Sequence, residues 1–226
     1  MAEPRLHVLL EGQTEEVMLR NVLEPHLRTA GWTVSWSILV TKRLVDGPAH
    51  RGGVTSWAKL ERDIRRLLSG RSFAAVTTII DYYGLPGDVP GMSSRPSGDA
   101  RIRVGHVEAA MGAAIDDLRF VPHLTLHEAE SWVFAAAEQL ADLYRDPDLL
   151  ARMRADVAAA GGPELVNDGP ETAPSKRLRS YREDDYLKAT DGPLAVAELG
   201  LGRLRQQCPH LHAWLTGLEA RATALA

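Results

Sequence analysis

The sequence predicts an α/β fold: a mainly parallel four-stranded sheet flanked by helices, with a helical C-terminal extension. Three observations lead there. Four short apolar runs of strand length alternate with stretches of helical periodicity, which calls for right-handed crossovers between parallel strands. Three of those runs stop abruptly at acidic residues. Beyond Glu128 the apolar positions keep a helical period almost to the chain end. A length of 226 residues suits one α/β domain with an appendage. The boundary is expected at residue 145, with residues 146–226 as a helical extension packed on residues 1–145.

The first strand is residues 5–10, Arg-Leu-His-Val-Leu-Leu, an apolar run that ends in Glu11-Gly12. Thr14 reads as the N-cap of a helix over residues 15–30, with Leu19, Val22, Leu23 and Leu27 on one face and Pro25 as a kink. A second strand covers residues 33–40, and the Gly- and Pro-rich residues 46–54 form a loop. Residues 56–69 carry Trp57, Leu60, Ile64, Leu67 and Leu68 at helical spacing, with Gly70 as the C-cap. The third strand, residues 74–80, runs into Asp81 and a long Pro/Gly-rich loop over residues 84–98. A structureless loop of that length beside a strand end points to function or disorder. Residues 103–118 form a helix with Val104, Val107, Met111, Ala114, Ile115 and Leu118 inward, and residues 122–126 form the fourth strand. A helix over residues 130–143 follows, apolar at Trp132, Val133, Ala136 and Leu140. Asp146-Pro147 then caps and opens a helix over residues 148–160, and short helices lead to a last one over residues 209–226.

Composition bounds the function. Apolar residues make up 45% and charged residues 25%, ordinary for a globular protein. A net charge of −4 argues against a general nucleic-acid coat protein and leaves room for a local basic groove. The single cysteine, Cys208, excludes an internal disulfide framework and a cysteine zinc cage. With no run of membrane-span length and no signal-peptide pattern, the expectation is a soluble, cytoplasmic protein with no membrane partner.

The strand-end acids carry the chemistry. Glu11 closes the first strand, Asp81 the third, and His127, Glu128 and Glu130 the fourth, at the sheet edge where α/β proteins bind ligands. Carboxylates gathered at one edge repel unless a cation neutralises them. Mg²⁺ accepts few carboxylates together with water and phosphate oxygens, so Mg²⁺ or Mn²⁺ is the expected ion, held by Glu11, Asp81, Glu128 and Glu130. The plainer alternatives remain open: Glu15, Glu128 or Glu130 as helix-start acids, and Asp81 as a turn residue. Lys176, Arg177, Arg179 and Arg182 follow a polar turn over residues 167–174 and suit phosphate contact. They also read as a solvated helix face pairing with Glu183, Asp184 and Asp185. Lys59, Arg62, Arg65, Arg66 and Arg71 read as a second solvated face, and the five tryptophans as core. His106 and Glu108 flank the buried face of their helix. Ser175 has no His and Asp partners in order, so a serine hydrolase is unsupported.

Glu11-Gly12-x-Thr14-Glu15 after a strand, with an Asp ending a later strand, resembles the Toprim catalytic domain of topoisomerases, primases and overcoming-lysogenization-defect nucleases. Four segments more closely resemble a bacterial family known as domain of unknown function 4276. They are Glu11–Glu15, Asp81-Tyr-Tyr-Gly84, His127-Glu-Ala-Glu130 and the stretch from Asn167 to Arg177, in the family's order over roughly residues 5 to 180. The resemblance implies a Toprim-like fold and a Mg²⁺-dependent nuclease acting on DNA or RNA, as effector of a phage-defence pair with a partner ATPase. Metal ligation carries over to Glu11 and Asp81, with Glu128 and Glu130 as further candidates. One departure stands out: many Toprim domains have Asp-x-Asp at the third strand, and here that second position is Tyr83. His127-Glu128 is the expected replacement. Glu11, Asp81, Glu128 and Lys176 are thus the expected catalytic set, with Lys176, Arg177, His127 and Glu15 at the substrate. The rival is a non-catalytic regulatory or binding subunit of an ATPase with a degenerate site. A third reading is a phosphatase or phosphotransferase using the same metal site.

Overall fold

A computed structural model describes residues 3–39, 53–166, 172–182 and 185–225. Its centre is a parallel sheet. β1 (Arg5–Leu10) lies between β2 (Thr33–Ile38) and β3 (Ala75–Asp81), with Leu10 opposite both Ile38 and Ile79. β4 (Phe120–Val121) and β5 (Leu124–Thr125) pair with β3 one after the other, Val76 opposite Phe120 and Asp81 opposite Thr125. The sheet order is β2-β1-β3-β4, with β5 continuing the edge. The strand expected over residues 122–126 is thus only Leu124–Thr125, with a separate short strand, Phe120–Val121, ahead of it. Pro122 has no N–H to give, and the N–H of His123 donates to Thr78 Oγ1 at 2.9 Å instead of to the ladder.

Side chains alternate across the sheet and feed two apolar layers. Leu6, Val8, Leu10, Val34, Ala75 and Ile79 face one side, while Leu9, Val76 and Ile80 face the other. The second side is covered by α3 (Trp57–Leu68) and α4 (Ala100–Ile115), through Leu60, Ile64, Val104, Val107 and Met111. α4 begins three residues before its expected start because Asp99 caps it, accepting from the Ile102 N–H at 3.1 Å.

The first side is covered by α1 (Gln13–Met18), a π turn (Leu19–Leu23), α2 (Glu24–Thr29) and the helices of the C-terminal half. The segment expected as one kinked helix therefore contains a wide turn. A proline ring clashes with the carbonyl four residues back, and the π turn gives Pro25 that clearance. Gly12, not Thr14, is the N-cap residue of α1; Thr14 is buried within the first turn. The helix expected over residues 130–143 is α5 (Ser131–Ala135) and α6 (Ala137–Tyr144), separated at Ala136. α7 (Pro147–Ala160) opens as expected on Asp146, whose side chain accepts from the Leu149 N–H at 2.9 Å. The rest is α8 (Pro174–Arg182), α9 (Asp191–Leu199), α10 (Leu201–Gln207) and α11 (Pro209–Leu225).

These later helices share one core with the sheet. Trp214 Nε1 on α11 donates to Thr77 Oγ1 on β3 at 2.9 Å, and Trp32 Nε1 donates to the Leu218 carbonyl at 3.0 Å. At the β5 edge, Glu108 from α4 accepts the Leu124 N–H at 2.7 Å, with His210 Nε2 at 3.0 Å and His123 Nδ1 at 3.6 Å. Burial works to raise the Glu108 pKa, but the two rings outweigh it and hold it down at about 2. Among the described residues no helix is long and apolar enough to cross a membrane.

Packing of α9 on α5 is tight at Gly192. A Cβ there would stand 2.5 Å from the Tyr186 hydroxyl oxygen and 2.9 Å from Val133 Cγ2. Gly192→Ala is expected to cost about 2 kcal/mol through overpacking, or roughly 4–8 °C in melting temperature. Thermal melts check this, and an unchanged midpoint would mean that the contact relaxes freely.

Candidate metal centre

The register of the sheet brings the acids together. The Glu11 N–H continues the ladder to the Ile79 carbonyl at 3.1 Å, so the Glu11 side chain leaves β1 beside the end of β3. Its Oε2 accepts the backbone N–H of Asp81 at 2.8 Å. Asp81 is buried; its Oδ1 accepts from Thr125 Oγ1 at 2.8 Å and from the Ala129 N–H at 2.9 Å. Those two bonds tie the end of β3 to the turn after β5.

That turn depends on His127, which sits at φ +64°, a conformation unusual for a residue with a side chain. It is held by the Tyr83 N–H, which donates to the His127 carbonyl at 2.8 Å. The turn delivers Glu128 and Glu130 inward. One ligand oxygen each from Asp81, Glu128 and Glu130 lie within 4.8 Å of one another, and all three residues are buried. Glu15 joins from the first turn of α1, buried beside the same acids. A Cβ at Gly12 would stand 3.2 Å from Glu15 Oε2, so the glycine of this motif provides space rather than a special backbone angle.

Two features of the site lie outside what the motifs signal. Lys188 Nζ stands 3.0 Å from Glu130 Oε1. Burial opposes the charge on this ammonium, but Glu130, Asp81 and Glu128 outweigh it and hold its pKa above the ordinary range. Neither Glu130 oxygen meets a donor in hydrogen-bonding geometry among the described residues, and the buried Tyr186 hydroxyl beside it is equally unpartnered. Ser175, at the start of α8, clamps Glu128: its N–H donates to Oε2 at 2.8 Å and its Oγ to Oε1 at 2.9 Å. Ser175 lies within the Asn167–Arg177 stretch, yet nothing local in the sequence marks it as a carboxylate clamp, and Lys188 sits in a tail with no recognisable motif.

The basic segment divides. Lys176 follows Ser175 on the first turn of α8 and is exposed. Arg177 turns to Asp156, 2.8 Å from Nη1, and to the Thr172 carbonyl, 2.9 Å from Nε. Arg182 pairs with Asp146 at 3.0 Å and lies over the Tyr144 ring. These arginines anchor α8 to α7 and α6, so the substrate role expected for Arg177 finds no support in its placement. The expected turn at residues 167–171, Glu183, Asp184, Val40 and most of the loop at 46–54 lie outside the described residues.

The electrostatics suit a cation. Burial pushes the Glu11 pKa up to about 7, and repulsion from Glu15 and Glu128 adds to it. Burial likewise raises Glu130 to about 7 despite the pull of Lys188. Asp81 is pushed well above the usual carboxylate range by burial and by Glu11, Glu15 and Glu130. An all-oxygen, partly unsatisfied donor set of this kind fits Mg²⁺ or Mn²⁺.

A pH dependence follows. Glu11 and Glu130 hold protons more tightly folded than unfolded, where both titrate near 4.5. Their stabilising contribution is therefore present below about pH 4.5 and is lost as pH rises through about 7. The melting temperature of metal-free protein should fall between pH 5 and pH 8 by several degrees, on the order of 2 kcal/mol. Mn²⁺ should shrink or reverse that fall, since it favours the ionised carboxylates. Identical pH profiles of the melting temperature with and without Mn²⁺ would count against cation binding here.

The family model for a domain of unknown function, DUF4276, matches residues 10–219. No curated protein and no solved structure matches the chain.

Proposed function

The chain belongs to the DUF4276 family, and from the centre described above we propose that it is a divalent-cation-dependent phosphodiesterase acting on nucleic acid. The carrying observation is the approach of Asp81, Glu128 and Glu130 within 4.8 Å at the carboxyl edge of a parallel sheet, with Glu11 and Glu15 beside them. On this reading Asp81, Glu128 and Glu130 hold Mg²⁺ or Mn²⁺, with Glu11 and Glu15 completing the negative field. When bound, the ion supplies Lewis-acid stabilisation of the phosphate and lowers the pKa of water.

The protein's own residues do the positioning. Thr125 and the Ala129 N–H fix the Asp81 carboxylate, as outer partners do for metal ligands. Ser175 fixes Glu128. Lys188 compensates Glu130 in the metal-free protein and stands ready to meet negative charge on the substrate. Lys176, on the turn that carries Ser175, is the candidate phosphate contact from α8, and His127 flanks the same edge. The Toprim likeness of the Glu11–Glu15 motif, DNA or RNA as substrate, and a partner ATPase in a phage-defence pair all belong to this proposal.

A second reading has one observation in its favour. Ser175 and Lys188 already engage Glu128 and Glu130, as they would in a regulatory subunit whose site no longer turns over. An assay on mixed DNA and RNA with Mg²⁺, Mn²⁺ or EDTA separates the two. Cleavage that needs metal and disappears in Asp81→Asn supports the phosphodiesterase. An inert wild-type protein that still grips its partner ATPase supports the regulatory subunit.

A further inference from the structure

At the same edge of the sheet, on the face covered by α3 and α4, lies a cavity of about 280 Å³ lined by basic and aromatic residues. Its walls include Tyr82, Tyr83, Arg95, Arg103 and His127, and no acid among the described residues. It is continuous with the acidic centre through the backbone. Tyr82 and Tyr83 directly follow Asp81, and their N–H groups donate to the carbonyls of Thr125 (3.1 Å) and His127 (2.8 Å). His127 in turn directly precedes Glu128. A basic, aromatic pocket and an acidic cluster thus flank one strip of backbone at the strand ends.

Arg95 is prepared to meet a phosphate. It sits in the long loop between β3 and α4, yet its Nε donates to the Met92 carbonyl at 2.8 Å and its Nη1 to the Tyr82 hydroxyl at 3.0 Å. Nη2 makes no hydrogen bond among the described residues, and the side chain is exposed to solvent. The loop therefore orders the guanidinium in advance and leaves part of its donor fork open, which reduces the entropy cost of gripping a phosphate. The loop itself is well built, with Leu85, Val89 and Met92 buried in the layer beneath it.

Access selects the form of the strand. Asp81 and Glu128 are each 8% exposed and Glu130 is fully buried, so the scissile group must reach into a recess. The cavity has room for about one nucleotide, not for a duplex whose major groove alone is about 12 Å wide. Recessed sites of this kind act on unpaired or extruded nucleotides, and the half-buried Tyr83 ring offers a face for a base. We infer that this cavity is the subsite for one phosphate-bearing nucleotide of an unpaired strand, with Arg95 on the phosphate and Tyr83 against the base. The inference rests on the phosphodiesterase reading and adds to it both the strand form and the groups that grip it.

The test is binding of a fluorescent 12-nucleotide single strand and its duplex, in DNA and RNA forms, measured by anisotropy in EDTA so that no cleavage occurs. Wild type should bind one single strand at least ten-fold more tightly than its duplex. Arg95→Ala should weaken that binding about ten-fold and reduce the salt slope by about 0.7. Arg95→Lys, which keeps the charge and loses the fork, should recover only part of it. Circular dichroism should show both variants folded. Wild-type affinity and slope in Arg95→Ala, equal binding of duplex, or no nucleic-acid binding by wild type would each overturn the subsite. Metal-dependent cleavage is scored separately. Cleavage insensitive to Arg95 removes the subsite alone, whereas arginine-dependent binding without cleavage removes the phosphodiesterase reading alone.

Discussion

Asp81→Asn should lower metal-dependent cleavage on the order of 10³-fold, about 4 kcal/mol of transition-state stabilisation, without unfolding the protein. Asparagine keeps the side-chain oxygen that accepts from Thr125 Oγ1 and the Ala129 N–H. What it removes is a buried carboxyl whose ionisation is opposed by burial and by Glu11, Glu15 and Glu130. Metal-free Asp81→Asn should therefore melt at or above the wild-type temperature while its activity disappears. Gain of stability with loss of function is characteristic of a site strained for its task. A variant that melts many degrees lower would instead identify Asp81 as a structural pin between β3 and the turn after β5. Cleavage assays and thermal melts on the same samples separate the outcomes.

The second large effect concerns Lys188. Removing its ammonium leaves Glu130 fully buried without a counter-charge, and breaking one side of a buried pair costs about 3 kcal/mol or more. Lys188→Met should lower the metal-free melting temperature by roughly 6–12 °C. Saturating Mn²⁺ should restore much of that loss, because the ion takes over the compensation of Glu130. The double variant Lys188→Met with Glu130→Gln should recover stability without metal, giving a coupling energy well above the additive expectation. Failure of both Mn²⁺ and the double variant to rescue would mean that the Lys188 stem contributes through packing and not through charge.

The parts of this account that were legible in the sequence are the local ones. An apolar run closing on Glu11-Gly12, and another closing on Asp81, each contain their own evidence: strand length, buried composition and an abrupt acid. The parallel register then follows from the alternation of strands and helices, and it sets the two strand ends side by side. Asp146-Pro147 was readable for the same reason, since a cap and the turn it opens are neighbours in the chain.

What the sequence withheld depends on distant partners. Ser175 reaches Glu128 across 47 positions, and Lys188 reaches Glu130 from a segment with no motif of its own. The charges of Lys176, Arg177 and Arg182 looked alike in the sequence. Only Asp156 and Asp146, brought near by α7, distinguish the anchoring arginines from the exposed lysine. The break between β4 and β5 was hidden similarly, because it requires the His123 N–H to choose the Thr78 hydroxyl over the ladder. The long Pro/Gly loop was visible as a loop, but the order of Arg95 within it arises from Tyr82 and Met92.

The central claim is that Asp81, Glu128 and Glu130 form one divalent-cation centre, and Mn²⁺ titration followed by electron paramagnetic resonance and calorimetry tests it most directly. Wild type should bind Mn²⁺ saturably and release protons at pH 7, because Glu11 and Glu130 titrate near that pH. Asp81→Asn and Glu130→Gln should each weaken binding at least ten-fold, the scale expected when a ligating carboxylate or its support is removed. Absence of saturable binding in wild type, or wild-type affinity in both variants, would contradict the account.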